Sequence, residues 1–145
     1  MMRKGQAARR ILLIDDERDT REAVESLLRL YGFEVETAEN GRKALAALSD
    51  GPLPCVIVLD LMMPDMDGRE FREHQLNDPR WAAIPVVVHS GHCDVPAVAA
   101  QLGVTAFLVK PISVDALLGV IDQVCKERAA DMHNGAAALA GPASH

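Results

Sequence analysis

Four short apolar runs in this chain each lead directly into polar residues that can carry chemistry. The runs are residues 11–14, 55–59, 85–89 and 106–109, and the residues that follow them are Asp15 and Asp16, Asp60, Ser90, and Lys110. Each run is short, rich in β-branched residues and bounded by turn formers, which is typical of a strand buried in a parallel sheet. Ligands of open parallel α/β sheets bind just outside the carboxyl ends of the strands. The pattern therefore predicts both the fold class and the place of a functional site.

The segments between these runs show the spacing of amphipathic helices. We predict helices over residues 18–31, 40–49, 68–77, 95–102 and 114–128, with Ser113 as the last N-cap and Gly103 as the C-cap of the fourth, and an edge strand over residues 33–37. The residues predicted to face inward are Ala23, Val24, Leu27, Leu28, Tyr31, Ala44, Leu45, Leu48, Phe71, Leu76, Leu117, Val120, Ile121 and Val124. Strands that alternate with helices imply a parallel sheet covered by helices on both faces.

The chain has 145 residues, a length that suits one domain. We predict a basic N-terminal arm over residues 1–10, a folded domain over 11–128, and a disordered tail over 129–145, which is rich in Ala, Gly and Ser. No residues after 128 suggest an output domain, which favours a stand-alone domain; a domain excised from a longer protein is the alternative.

Charge and hydropathy restrict the classes of partner. The net charge of −6 argues against a nucleic-acid partner. The sequence contains neither a run of apolar residues long enough to span a membrane nor the apolar segment of a signal peptide. Three scattered cysteines, Cys55, Cys93 and Cys125, favour reduced thiols over disulfide or metal use. We therefore expect a cytoplasmic protein with no membrane association.

The residues at the strand ends form a chemically coherent set. If the first and third strands are neighbours, the carboxylates of Asp15, Asp16 and Asp60 converge. Negative charges at such short distances disfavour joint ionisation unless a cation lies between them. Mg²⁺ suits such a set, with Mn²⁺ as a substitute. A carboxylate flanked by Mg²⁺, the ammonium of Lys110 and the hydroxyl of Ser90 can attack phosphorus and become an aspartyl phosphate. Each residue alone could be a simple cap or turn former, but their joint occurrence at four strand ends favours one site.

The motifs that carry these residues resemble the receiver domains of two-component response regulators. The segments are residues 13–17, 58–68, 87–91 and 107–112, and the resemblance extends over about residues 10–128. It implies a flavodoxin-like (βα)5 three-layer sandwich whose parallel sheet has the strand order 2-1-3-4-5.

The resemblance also implies a role for each site residue. Asp60 would accept a phosphoryl group from a histidine of a partner kinase or phosphotransfer protein. Asp15 and Asp16 would ligate Mg²⁺ together with Asp60 and the backbone carbonyl of Met62. The resemblance does not identify the downstream protein that would bind the phosphorylated domain.

Further roles concern binding and transmission of the phosphoryl group. Ser90 and Lys110 would bind the phosphoryl oxygens, and Phe107 would be the switch aromatic that moves inward when Ser90 is drawn to the phosphate. The Lys110–Pro111 bond is expected to be cis, and Gly68 is expected to allow a tight turn into the third helix.

Met62 and His92 occupy the positions that tune the phosphoryl lifetime in this family. The resemblance implies self-phosphorylation. Because Met62 is apolar and cannot orient water by hydrogen bonding, we expect self-dephosphorylation to be slow. His92 could act as a proton acceptor or be an exposed loop residue. The segment between Ser90 and Lys110 is about two residues shorter than the family usually has, so the fourth helix should be short.

Two alternatives are weaker. A phosphohydrolase of the haloacid-dehalogenase type would carry a second Asp two residues after the nucleophile, where this chain has Met62. A degenerate, purely structural receiver would lack the acceptor, the acid pair or the lysine, and all are present. We therefore expect a phosphoacceptor rather than an enzyme.

Overall fold

The computed structural model describes the backbone of residues 9–63, 66–91 and 95–133, and the side chains of these residues as far as 126. In these ranges five strands alternate with five helices: β1 Arg10–Ile14, α1 Arg18–Leu30, β2 Glu34–Ala38, α2 Gly41–Asp50, β3 Val56–Asp60, α3 Gly68–Leu76, β4 Val86–Ser90, α4 Val95–Leu102, β5 Ala106–Val109 and α5 Val114–His133. All strand pairs are parallel, and the order is β2-β1-β3-β4-β5. The predicted α/β fold and strand order are confirmed.

Two hydrophobic layers lie on opposite faces of the sheet. Alternation along β1 sends Leu12 and Ile14 to the layer under α2, α3 and α4, and it sends Ile11 and Leu13 to the layer under α1 and α5. Because β1 and β3 are buried on both faces, they read as continuous apolar runs. The result is the predicted three-layer, flavodoxin-like sandwich.

Local side-chain chemistry sets several helix ends. Asn40, Asp67 and Ser113 each accept a hydrogen bond from the backbone N–H three residues later, at 2.8, 3.0 and 3.3 Å. Gly103 follows α4 with a φ of 64°, so it ends this eight-residue helix as predicted. The fourth helix is short, as expected.

Several predicted boundaries were wrong by a few residues. α5 continues to His133, so residues 129–133 of the predicted tail are helical, while residues 134–145 lie outside the described residues. Arg10 belongs to β1 rather than to an N-terminal arm, of which residues 1–8 also lie outside the described ranges. Cys55 directly precedes β3. Within the described part of the chain, no helix combines the length and hydropathy needed to cross a bilayer.

Some predicted inward positions are exposed. Ala23 on α1 is exposed, and so is Tyr31, which directly follows the helix; Leu28 is the buried residue of α1. Leu76 is also exposed, and α3 instead buries two polar residues, Arg72 and Gln75, beside Phe71. An apolar pattern could not predict these positions because the buried polar groups are paired through tertiary contacts.

Arg72 and Gln75 join α3 to the end of α4 and to the turn before β4. The Arg72 guanidinium donates to the carbonyls of Leu102 and Gly103 at 3.1 and 3.0 Å and to Gln75 Oε1 at 2.7 Å. The Gln75 amide donates to two backbone carbonyls of the turn before β4, each at 2.9 Å. The carbonyls at the C-terminal end of α4 thereby gain the donors that the helix itself cannot supply.

Replacing Arg72 with Met should lower the free energy of unfolding by about 1–3 kcal/mol, since it leaves partly buried carbonyls without their donor. Arg69→Met is the matched control: Arg69 lies on the same helix and reaches α4, but it is exposed and makes a single 3.3 Å contact with Gln101. We expect the control to change stability by less than about 0.5 kcal/mol in urea unfolding. Equal losses in the two variants would contradict the proposed role of the network.

Candidate functional site

The carboxyl ends of four strands bring the predicted residues to one edge of the sheet. Asp15 and Asp16 follow β1, Asp60 ends β3, Ser90 ends β4, and Lys110 follows β5. An open depression at this edge is lined by Asp16, Glu17, Asp60, Met62, Ser90, Gly91 and Lys110. Because β1 and β3 are adjacent, the acid pair and Asp60 meet as the sequence predicted.

Three carboxylates form a compact oxygen cluster. Asp15, Asp16 and Asp60 each place a carboxylate oxygen within 4.8 Å of the others. Asp15 and Asp60 are buried, whereas Asp16 is exposed at the mouth. Hard oxygen donors at this spacing, open to solvent on one side, fit Mg²⁺, which binds through one or two carboxylates and keeps water or phosphate oxygens as its other ligands.

Asp15 is held in place at both its side chain and its backbone. Its Oδ1 accepts the backbone N–H of Glu17 at 2.8 Å, and its own N–H donates to the carbonyl of Ala38 at 3.1 Å. The guanidinium of Arg21, one turn into α1, donates to the Asp15 carbonyl at 2.8 Å. Sequence reasoning missed Arg21 because one arginine in a charged helix carries no distinguishing signal.

Lys110 lies between the two buried carboxylates. Its Nζ is 3.4 Å from Asp15 Oδ2 and 3.5 Å from Asp60 Oδ2. Burial disfavours the charged amine, but the two carboxylates outweigh that effect and raise the pKa of Lys110. The Lys110–Pro111 peptide bond is cis, as expected.

The pKa of Asp60 is raised from 3.8 to about 7. Burial is the largest cause, and the nearby Asp15 adds to it. Two contacts oppose the rise: the backbone N–H of Met62 donates to Asp60 Oδ1 at 3.1 Å, and Lys110 lies beside Oδ2. A bound cation would favour the ionised carboxylate further.

His89 lies beneath the site and is fully buried. It pairs in register with Asp60, and its Nε2 is 3.9 Å from Asp15 Oδ2. Burial, aided by the charge of Lys110, lowers the pKa of His89 to about 3, so the ring is neutral at physiological pH. Neither ring nitrogen has a hydrogen-bond partner among the described residues. The histidine is packed at the end of β4.

Gly68 is needed for a different reason than the one predicted. Its φ is not positive, in contrast to those of Gly32 and Gly103. Instead, a Cβ at Gly68 would lie 2.9 Å from Leu61 Cα and 3.0 Å from the carbonyl oxygen of Asp60. The start of α3 therefore lies directly against the end of β3, and only glycine fits between them.

The remaining predicted residues have different surroundings. Ser90 is buried, and its carbonyl accepts the backbone N–H of Lys110 at 2.9 Å. Phe107 and Met62 are exposed, at 42% and 53%. His92 lies outside the described residues. The roles assigned to these residues remain predictions.

Comparison with known proteins identifies the family. Residues 11–122 match the response regulator receiver domain. The chain belongs to this family. The receiver domain is 33% identical to protein PilG of Pseudomonas aeruginosa over 77% of this chain and 84% of PilG. It superposes on the chemotaxis protein CheY4 of Vibrio cholerae with a TM-score of 0.75 and 31% identity, covering 81% of this chain and 99% of CheY4.

Other relatives are considerably longer than the matched region. The transcriptional regulatory protein DctD of Rhizobium meliloti is 35% identical over 88% of this chain, but the match covers only 28% of DctD. The match to the regulatory protein AtoC of Escherichia coli covers 24% of that protein. The similarity therefore concerns the receiver domain of two-component response regulators.

The raised pKa of Asp60 makes the stability of the metal-free protein depend on pH. A carboxyl group whose pKa is higher in the folded state stabilises the fold fully at pH values below its unfolded-state pKa. This stabilisation is lost as the pH rises through the folded-state pKa. With a chelator present, the free energy of unfolding of wild type, relative to that of Asp60→Asn, should therefore fall between about pH 4 and about pH 8. The expected fall is on the order of a few kcal/mol. Urea unfolding across this range measures the difference, and a gap that does not vary with pH would contradict the assignment.

Proposed function

We propose that this receiver domain accepts a phosphoryl group on Asp60 from a phosphohistidine of a partner kinase or phosphotransfer protein. The observation that carries the proposal is the position of Asp60, buried at the end of β3 between the Asp15–Asp16 pair and the Lys110 ammonium. A carboxylate in such surroundings can act as a nucleophile toward phosphorus.

The residues around Asp60 suit an in-line transfer. An Asp60 oxygen forms the new bond to phosphorus while the bond from phosphorus to the histidine nitrogen breaks, and the electron pair of that bond leaves with the imidazole. The Met62 N–H orients the carboxylate, and Lys110 binds a phosphoryl oxygen as its negative charge moves into the site. Mg²⁺ held by Asp15, Asp16, Asp60 and the Met62 carbonyl would supply further charge neutralisation.

The surface beside the site supports a protein as the phosphoryl donor. A mostly apolar groove between α1 and residues 110–114 shares Glu17 and Lys110 with the depression over Asp60. Ala23 and Val24 line it from α1, and Ile112 and Val114 line it from the other side. A helix that carries the phosphohistidine could bury apolar side chains here while its imidazole reaches the carboxylate.

Ser90 and Phe107 are proposed to convert phosphorylation into a change of surface. Ser90 ends β4 at the site. Phe107 lies on the neighbouring strand β5 and pairs in register with Val88, which is two residues before Ser90 on β4. Phe107 is partly exposed, so it has an apolar surface to lose on moving inward. Drawing the Ser90 hydroxyl toward a phosphoryl oxygen would leave space for the aromatic ring, and a downstream partner would read the altered face.

Incubation with Mg²⁺ and a small acyl phosphate tests phosphoacceptance without a cognate kinase. Intact-mass measurement should show one phosphoryl adduct on wild type and none on Asp60→Asn or when chelator replaces Mg²⁺. Asp50→Asn, which removes an exposed carboxylate at the end of α2, should be modified like wild type. An adduct that survives Asp60→Asn would show that another residue is the acceptor, and no adduct on wild type would contradict phosphoacceptance.

The exposed Met62 side chain should make the aspartyl phosphate long-lived, because a thioether cannot position an attacking water. Met62→Asn provides a hydrogen-bonding amide at the mouth of the site. We expect it to speed phosphoryl loss by roughly tenfold, less than the roughly 10²- to 10⁴-fold that a positioned general acid or base supplies, because an amide orients water without accepting its proton. Met62→Leu is the apolar control and should decay at the wild-type rate. Intact-mass measurements over time give the rate of phosphoryl loss for the three proteins. Equal rates would show that Met62 does not control the lifetime of the aspartyl phosphate.

A further inference from the structure

Two cysteines that are distant in sequence meet at the edge of the sheet opposite to Asp60. The Sγ atoms of Cys55 and Cys125 are 3.0 Å apart across a separation of 70 residues. Cys55 lies at the amino end of β3, and Cys125 lies on α5. Because Asp60 lies at the carboxyl end of the same strand, about 15 Å of strand separates the thiol pair from the phosphorylation site.

The backbone on both sides of this contact is well anchored. The Cys55 N–H donates to the carbonyl of Arg10 at 2.8 Å, which ties the start of β3 to β1. On α5, Ile121 and Val124 are buried in the layer that also contains both thiols. The packed scaffold therefore holds the sulfur atoms within about 1 Å of the 2.05 Å length of a disulfide bond.

Charge around the pair distinguishes the two thiols. The Arg9 guanidinium bonds Asp122 Oδ1 at 2.9 Å, one turn before Cys125, and lies over the Phe33 ring. A hydrogen bond from the Cys125 thiol, aided by the charge of Arg9, lowers the pKa of Cys55 to about 7, while the pKa of Cys125 is raised. Cys55 is therefore the thiol of the pair that ionises more readily, and it supplies the attacking thiolate.

We propose that Cys55 and Cys125 form a dithiol site that is converted to an internal disulfide by exchange with low-molecular-weight disulfides. The Cys55 thiolate attacks one sulfur of the small disulfide, forms a mixed disulfide and releases a small thiolate. Cys125 then loses its proton and attacks Cys55 Sγ, which releases a second small thiolate. The chain loses two electrons and two protons, and the small disulfide is reduced to two thiols.

The internal bond would join β3 to α5 in the arrangement they already have. It closes a loop of 70 residues in the unfolded chain, and long closed loops reduce the entropy of unfolding most. Both cysteines are partly buried rather than sealed, so a small disulfide can reach the pair. The oxidised protein should therefore keep the fold and melt at a higher temperature than the reduced one.

Glutathione disulfide is a suitable probe for the full-length chain under native conditions. After acid quenching and alkylation, intact mass and peptide mapping should show wild type short of two hydrogen atoms, with a Cys55–Cys125 cross-link. Cys93→Ser should behave the same way, which excludes the third thiol. Cys125→Ser should instead stop at a stable glutathione adduct on Cys55, because the resolving thiol is absent. Asp60→Asn should oxidise like wild type, so this test is independent of phosphoacceptance.

Three results would overturn the proposal. The first is a cross-link that forms only in urea, the second is a bond that involves Cys93, and the third is wild type that accumulates glutathione adducts without losing two hydrogen atoms. Thermal unfolding gives a separate check, since an oxidised wild type that melts no higher than its reduced form would show that the bond strains the native structure.

Discussion

Burial of ionisable groups at the ends of β1 and β3 is the constraint on which the rest of the structure depends. Asp15 and Asp60 are nearly inaccessible and lie close enough for their charges to repel. Lys110, between them at 3.4 and 3.5 Å, offsets part of this cost, and the Met62 N–H offsets another part. The remaining imbalance appears as the raised pKa of Asp60. A bound cation would relieve this imbalance by favouring the ionised carboxylates.

The fold stabilises this arrangement because several elements hold the charged groups in place at once. Asp15 is bound through Glu17, Ala38 and Arg21, so it cannot swing away from its neighbours. Gly68 allows α3 to start directly against the end of β3. Preorganisation of this kind means that little reorganisation is needed when charge enters the site. The thiol pair at the other end of β3 uses the same rigidity, since packed strands and helices hold two distant sulfur atoms in contact.

Much of the fold could be predicted because its signals are local. Apolar runs identified the strands within one residue at each end, and cap residues such as Asn40 and Ser113 located helix starts. The predictions that were wrong concern residues whose environment depends on distant parts of the chain. Arg72 and Gln75 are buried because α4 and the turn before β4 provide acceptors, whereas Leu76, the apolar choice, faces solvent. Helical periodicity alone cannot detect such polar pairing.

The sequence by itself determined the alternation of strands and helices, the receiver-domain motifs, and the set of residues at the strand ends. These features depend on side-chain type and near neighbours, so they can be read along the chain. Only the tertiary structure decided that Arg21 supports Asp15, that Gly68 is needed for close approach, and that Cys55 meets Cys125. The physical reason is that these contacts arise from the parallel sheet order and from helix docking. Both join segments that are far apart in sequence, and no local pattern records their final distance.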